Sequence, residues 1–212
     1  MNLYPLARIV LPPTLSVMTP WRPEGREHVP ESGPFILALN HNSLLDAPLA
    51  QVACPRTVHT MTKSSQFRSA PFRWLLLGLQ TFPVRRYRVD PQAVRTVLRL
   101  LEEGRGVGIY PEAERSWDGR AQPFRRGAIR LILKAGVPVV PCGITGSFHV
   151  WPRWSRRPRR GQVTVRFGPP LEFGRHDDRE AREAALPGAE QRLRDAWQRL
   201  FDEGRQTPME PA

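Results

Sequence analysis

The stretch Phe35-Ile36-Leu37-Ala38-Leu39-Asn40-His41-Asn42-Ser43-Leu44-Leu45-Asp46 sets the terms for the chain. Its first residues are an unbroken apolar run, which reads as a strand buried on both faces. Asn40 to Asn42 break the run, and Ser43 to Ala53 reads as a helix. A buried strand passing directly into a helix is the building unit of an α/β sheet.

The same alternation extends in both directions. Arg56 to Met61, Phe82 to Val84, Val107 to Tyr110, Val137 to Pro141 and Val163 to Phe167 read as further strands. Pro71 to Leu79 is a helical apolar stretch around Trp74, Leu75 and Leu76. Pro91 opens a helix with Val94, Leu98 and Leu101 on one side, and Gly104 stops it. Gly127 to Ala135 and the amphipathic Ala189 to Glu203 complete the helices. This pattern predicts one domain over 31–204, preceded by a loose Pro-rich arm over 1–30 and followed by a disordered tail over 205–212.

Composition narrows the function classes. The 212 residues carry 32 Lys plus Arg against 20 Asp plus Glu, a formal charge of +12, and only Lys63 and Lys134 are lysines. Such an excess calls for an anionic partner: nucleic acid, a phospholipid surface or a phosphorylated substrate. The longest uncharged run, Ala135 to Pro152, is interrupted by prolines and glycines, so a spanning helix is not expected. Pro5, Arg8, Pro12 and Pro13 interrupt the apolar N-terminus, which does not read as a secretory leader. Two cysteines without CxxC spacing make neither a disulfide framework nor a metal site, and the expected compartment is the cytoplasm.

The chemistry centres on His41 and Asp46. A strand-to-helix turn can fold the carboxylate onto the imidazole, fixing its tautomer and leaving the other ring nitrogen as a general base. The same residues also form an SxxD capping pattern, which needs no catalysis. HxxxxD arises by chance roughly 0.2 times in a chain of this composition, so the pair is weak by itself. Three other segments leave strands: Phe82-Pro83-Val84-Arg85-Arg86, Tyr110-Pro111-Glu112-Ala113-Glu114-Arg115-Ser116, and Val137-Pro138-Val139-Val140-Pro141. Arginine in such a loop is suited to bidentate phosphate contacts, and Ser116 adds a hydroxyl donor.

Taken in order, these segments resemble the four blocks of the glycerolipid acyltransferases related to 1-acylglycerol-3-phosphate acyltransferase. Asn40, His41 and Asp46 match NHxxxxD; Phe82, Pro83, Val84 and Arg86 match FPVxR; Tyr110 to Ser116 is similar to FPEGTRS; and Val137 to Pro141 is similar to the VPxxP block. Lys63 falls where that family often has lysine. The resemblance implies an α/β single domain with a central, largely parallel or mixed sheet flanked by helices, glycerol-3-phosphate acyltransferase-like. It also implies direct acyl transfer from an acyl thioester, acyl-CoA or acyl carrier protein, to the free hydroxyl of a lysophospholipid acceptor, without a cofactor or metal.

In that scheme His41 removes the hydroxyl proton and Asp46 supports it. Lys63, Arg86 and Arg115, with Ser116, hold the acceptor phosphate, and Glu112 orients the acceptor. Ala113 and Glu114 stand where the block usually has glycine and threonine. If the glycine serves a positive φ, alanine brings strain, and Glu114 adds negative charge beside a phosphate site. Both changes keep a different acceptor, such as a lyso-aminolipid, in play. A lipid acceptor implies peripheral contact with an anionic membrane at its inner face. Trp151 and Trp154 interleaved with Arg156 and Arg157 suit that contact, as does the apolar N-terminal arm. The rival is a nucleic-acid-binding protein; it leaves the ordered blocks unexplained, and no nucleic acid is expected.

Overall fold

The computed structural model describes residues 2–85 and 90–206. Its strands are β1 (Trp21–Glu24), β2 (Phe35–Leu39), β3 (Val58–Lys63), β4 (Thr81–Val84), β5 (Gly106–Ile109), β6 (Val139–Thr145) and β7 (Val163–Phe167). They form one sheet in the order β1-β7-β6-β2-β5-β3-β4. β2 pairs in parallel with β5 and β6, Ala38 lying opposite both Ile109 and Pro141. The β6–β7 pair is antiparallel, so β7 and its parallel neighbour β1 run against the other strands. The sheet is thus mixed and mostly parallel.

Around it lie α1 (Tyr4–Met18), α2 (Asp46–Ala53), α3 (Ala70–Gly78), α4 (Pro91–Glu102), α5 (Arg126–Ala135), the short α6 (Ser147–Val150) and α7 (Arg179–Gln206). The two-residue period of β2 divides its side chains between two cores. Phe35, Leu37 and Leu39 pack with Leu15 of α1 and Leu49 and Val52 of α2. Ile36 and Ala38 pack with Val97 of α4, Ile132 of α5 and Trp197 of α7. Trp197 Nε1 donates to the Ala38 carbonyl at 3.2 Å, fixing α7 to the middle strand.

The parallel strands place their C-terminal ends, and the loops that follow, at one edge of the sheet. The first block leaves β2 there and the third leaves β5 beside it. Lys63 ends β3 opposite Val84 of β4 at the same edge. β3 and β4 stand two and three strands from β2, or about 10 and 15 Å at strand spacing.

The N-terminal arm differs from expectation. It is helical over Tyr4–Met18 despite Pro12 and Pro13, and residues 21–24 are a strand of the sheet rather than part of a loose arm. The helix is held by tertiary contacts: buried Tyr4 donates its hydroxyl to the Gln51 carbonyl (3.0 Å) and accepts from Val58 N–H (3.2 Å). At the other end, α7 continues past Glu203 to Gln206, into the stretch expected to be disordered, and 207–212 lie outside the described residues. α2 begins at Asp46 rather than Ser43 because the Asp46 carboxylate draws the N–H groups of Asn42 and Ser43 into a turn (2.6 and 2.7 Å).

Tyr4→Phe removes the hydroxyl shared by two buried main-chain groups. The expected cost is about 1–3 kcal/mol, seen as a lower urea midpoint at unchanged slope. An unchanged midpoint would show that this hydroxyl does not hold α1 to the domain.

Candidate functional site

His41 and Asp46 meet as the residue pattern requires. His41 Nδ1 lies 3.0 Å from Asp46 Oδ2, and that oxygen also accepts the main-chain N–H groups of Asn42 and Ser43. An oxygen receiving two N–H groups is an acceptor, so Nδ1 carries a proton and donates it to Asp46. Asp46 is fully buried, while the His41 side chain is 11% exposed. The imidazole stacks on Tyr110, ring centroids 4.2 Å apart and inclined by 30°. Ring and carboxylate together leave His41 little rotational freedom.

The main chain of this turn is equally constrained. Asn40 turns its side chain to β6, donating to the Ile144 carbonyl (2.9 Å) and accepting from Ile144 N–H (2.7 Å). His41 N–H donates to Glu112 Oε2 (2.8 Å), and the His41 carbonyl accepts from Ser116 N–H (2.7 Å). Glu112 Oε1 accepts from Gln122 N–H at 2.8 Å. Burial pushes the Glu112 carboxyl up to about 7, against the pull of these two N–H donors and with the nearby Asp46 charge adding to the rise.

Two third-block residues turn inward. Glu112 is buried, and each of its oxygens accepts a main-chain N–H group, so it braces the His41 turn. Ser116 is fully buried: its hydroxyl lies 2.8 Å from the Arg120 carbonyl and 3.0 Å from Asp118 Oδ1, and accepts from Gly119 N–H at 3.0 Å. It knits its own loop. Arg115 lies between them, half-buried. Ala113 adopts φ 63°, the left-handed conformation a glycine would take without a Cβ penalty. Glu114 is 3.4 Å from Arg125 and 3.5 Å from Arg153, so its charge is met by two cations.

Lys63 is exposed at the end of β3. Arg86 of the second block lies outside the described residues; its neighbour Arg85 is paired with Asp90 at 3.6 Å. The Arg-rich loop is only partly the open surface its composition suggests. Trp151 is partly buried against the core and donates Nε1 to the Ser155 carbonyl (3.0 Å). Trp154 is 53% exposed against Phe148, and Arg156 and Arg157 are exposed.

Several contributors escape the motif reading. Tyr110 is hidden because a block letter does not reveal stacking, although an aromatic directly before Pro-Glu at a strand end is a usable signal. Gln122 and Arg153 lie outside the blocks. α3 exposes Phe72, Trp74, Leu75 and Leu77 by 40–56%, beside the Leu6, Ile9 and Val10 of the apolar N-terminal arm, which α1 exposes by 50–73%. The two helices meet where Leu3 N–H donates to the Gly78 carbonyl (2.8 Å). Among the described residues, no group of three His, Cys, Asp or Glu side chains is placed to hold a metal, and no helix is long and apolar enough to cross a membrane. Cys54 and Cys142 are buried free thiols, both pushed upward in pKa by burial.

Known proteins place these features in context. A family model described as Acyltransferase matches residues 21–145. The 1-acyl-sn-glycerol-3-phosphate acyltransferase of Bacillus subtilis is 26% identical over 179 residues, covering 82% of this chain and 87% of that protein. The human 1-acyl-sn-glycerol-3-phosphate acyltransferase alpha is 31% identical over 69% of this chain and 52% of its own length. A chloroplastic 1-acyl-sn-glycerol-3-phosphate acyltransferase from Brassica napus is 30% identical over 62% of this chain, which spans 39% of that relative. The crystal structure of the 1-acyl-sn-glycerophosphate acyltransferase from Thermotoga maritima shares the fold: TM-score 0.76 at 21% identity, over 98% of this chain and 82% of that one.

Glu112 gives the site a pH signature. The folded protein holds its proton between 4.5 and about 7, where an unfolded glutamate has lost it. Its contribution to stability therefore declines as pH rises through that window. Glu112→Gln leaves one main-chain N–H without an acceptor, a pH-independent cost of about 1–3 kcal/mol. The parent's advantage over this variant should narrow between about pH 5 and about pH 8, by an amount on the order of 1–3 kcal/mol. Urea midpoints across that range test it; parallel curves would remove Glu112 as the titrating group.

Proposed function

The chain belongs to the acyltransferase family, and from that premise we propose that it moves a fatty acyl group from an acyl thioester to the free hydroxyl of 1-acylglycerol-3-phosphate, giving phosphatidic acid. The observation that carries the reading is the His41–Asp46 pair, held at the sheet edge by the loop that bears Arg115. In the proposed reaction His41 Nε2 takes the hydroxyl proton as the oxygen bonds to the thioester carbonyl carbon. The carbon–sulfur bond breaks as the tetrahedral intermediate collapses, and the imidazolium returns its proton to the departing thiolate. Asp46 Oδ2 accepts three donors, whereas Oδ1 is buried without a hydrogen-bond partner among the described residues, so a cationic ring adds a charge interaction that the neutral ring does not supply. That favours imidazolium in the transition state.

Arg115 is assigned the acceptor phosphate, with Lys63 and Arg86 as further cations of the same role. Compensation of Glu114 by Arg125 and Arg153 supports a phosphorylated acceptor over an uncharged or cationic one. The donor is acyl-CoA or acyl carrier protein. No cofactor or metal is assigned a step.

The acceptor resides in a membrane, and the reading includes peripheral contact with an anionic phospholipid surface at the inner face of the cell membrane. The exposed apolar side chains of α1 and α3 support it, with exposed Arg68 and Arg73 beside them to meet headgroups. Trp154, Arg156 and Arg157 are assigned a secondary contact, and Trp151 none.

Two outcomes test these assignments. His41→Ala and Asp46→Asn are expected to lower kcat about 10²–10⁴-fold while retaining the parent's melting transition, measured with 1-acylglycerol-3-phosphate and acyl-CoA and with product read by mass spectrometry. A folded His41→Ala protein with near-parent turnover removes His41 as the base. Flotation with phosphatidylglycerol vesicles should fall at least several-fold for Trp74→Glu/Leu77→Glu, and undiminished flotation places the membrane contact elsewhere.

A further inference from the structure

The segment Trp151-Pro152-Arg153 joins the first and third blocks from outside both. Its Trp151 carbonyl accepts from Ser43 Oγ at 2.8 Å, tying it to the turn after β2. Arg153 then makes three contacts with the loop after β5. Its Nη1 donates to the Arg115 carbonyl at 2.8 Å, the same nitrogen lies 3.5 Å from Glu114 Oε2, and the guanidinium sits over the Trp117 ring, 3.5 Å from its centroid. Its side chain is 22% exposed, whereas Arg156, Arg157, Arg159 and Arg160 of the same run are exposed.

We infer that Arg153 is a positioning residue for acceptor recognition: it holds the Glu114–Arg115 stretch in the shape that presents Arg115 to a phosphate, with Glu114 as its counter-ion. The inference rests on the phosphate role proposed for Arg115. The loop needs an external tie at this point. Ala113 holds a left-handed conformation that a residue with a Cβ leaves readily, and such a conformation persists where neighbouring contacts over-determine it. Glu112 secures the residue before Ala113 and Ser116 secures the other end. Arg153 secures the dipeptide between. Arginine suits the task because its flat guanidinium covers an indole while one of its nitrogens meets a carbonyl and a carboxylate; lysine supplies the charge without the flat face.

This division predicts a kinetic separation. None of these Arg153 contacts is to His41 or Asp46, and an interaction that holds a phosphate equally in ground and transition states acts on KM rather than kcat. Arg153→Ala is expected to raise KM for 1-acylglycerol-3-phosphate about tenfold, with kcat within about twofold and the acyl-CoA KM unchanged. In an Arg115→Ala background the same change should add less than about twofold, because Arg153 acts through Arg115. Arg153→Lys should recover only part of the loss, and Glu114→Gln should raise the acceptor KM about two- to threefold. Should Arg153→Ala fail to fold, as seen in its melt, the Lys and Gln variants carry the comparison. An unchanged acceptor KM, equal losses for both substrates, or full additivity with Arg115→Ala overturns the assignment. A folded parent that does not acylate 1-acylglycerol-3-phosphate overturns the proposed function and this inference together; an active parent with an indifferent Arg153 overturns the inference alone.

Discussion

The main chain of His41 is bonded on both sides by the loop that leaves β5: its N–H goes to the Glu112 carboxylate and its carbonyl receives the Ser116 N–H. Much else in the site depends on this. The β2–β5 ladder, with Ala38 opposite Ile109, sets the two strand ends at matching heights so that the loop reaches across. Asn40 performs the same service toward β6 through Ile144, and Ser43 toward Trp151. With three of four consecutive residues tied to different neighbours, the imidazole needs only Asp46 and the Tyr110 ring to complete its placement.

The buried acids act as organisers of main chain. Asp46 gathers two N–H groups from its own turn and Glu112 gathers two from separate segments. Such donors offset part of the cost of burying a carboxylate, and that cost remains visible in the raised Glu112 carboxyl. The +12 excess sits differently. Arg166 is buried against Glu24, Arg153 braces a loop, and Arg156 and Arg157 remain exposed. Arginine here divides into internal struts and surface charge, a distinction no count of charges contains.

Fold class was legible because strands buried on both faces advertise themselves: β7 occupies the expected Val163–Phe167, and β2 the expected Phe35–Leu39. What failed to show was decided by distant contacts. Pro12 and Pro13 read as interruptions, yet Tyr4 and Leu15 bury enough of α1 to hold it helical. Trp21 to Glu24 contains Pro23 and reads as loop, although an edge strand with one neighbour tolerates proline. The His41–Asp46 pair was legible because both partners lie within one turn. The inward orientation of Ser116, the packing of Trp151 and the exposure of α3 were not, since a local pattern specifies that a side chain is polar or apolar without specifying which neighbour receives it.

The altered third block shows how side chains can change while the backbone holds. Ala113 keeps the left-handed conformation at φ 63°, a cost of roughly 1–2 kcal/mol for a residue bearing a Cβ. The hydrogen bond from Ala113 N–H to the Tyr110 carbonyl (2.9 Å), with the Glu112 and Ser116 ties on either side, can offset a penalty of that size. Glu114 in turn is absorbed by Arg125 and Arg153. The two departures therefore leave the path of the loop intact and alter its surface, adding a methyl group and an internal ion pair beside Arg115.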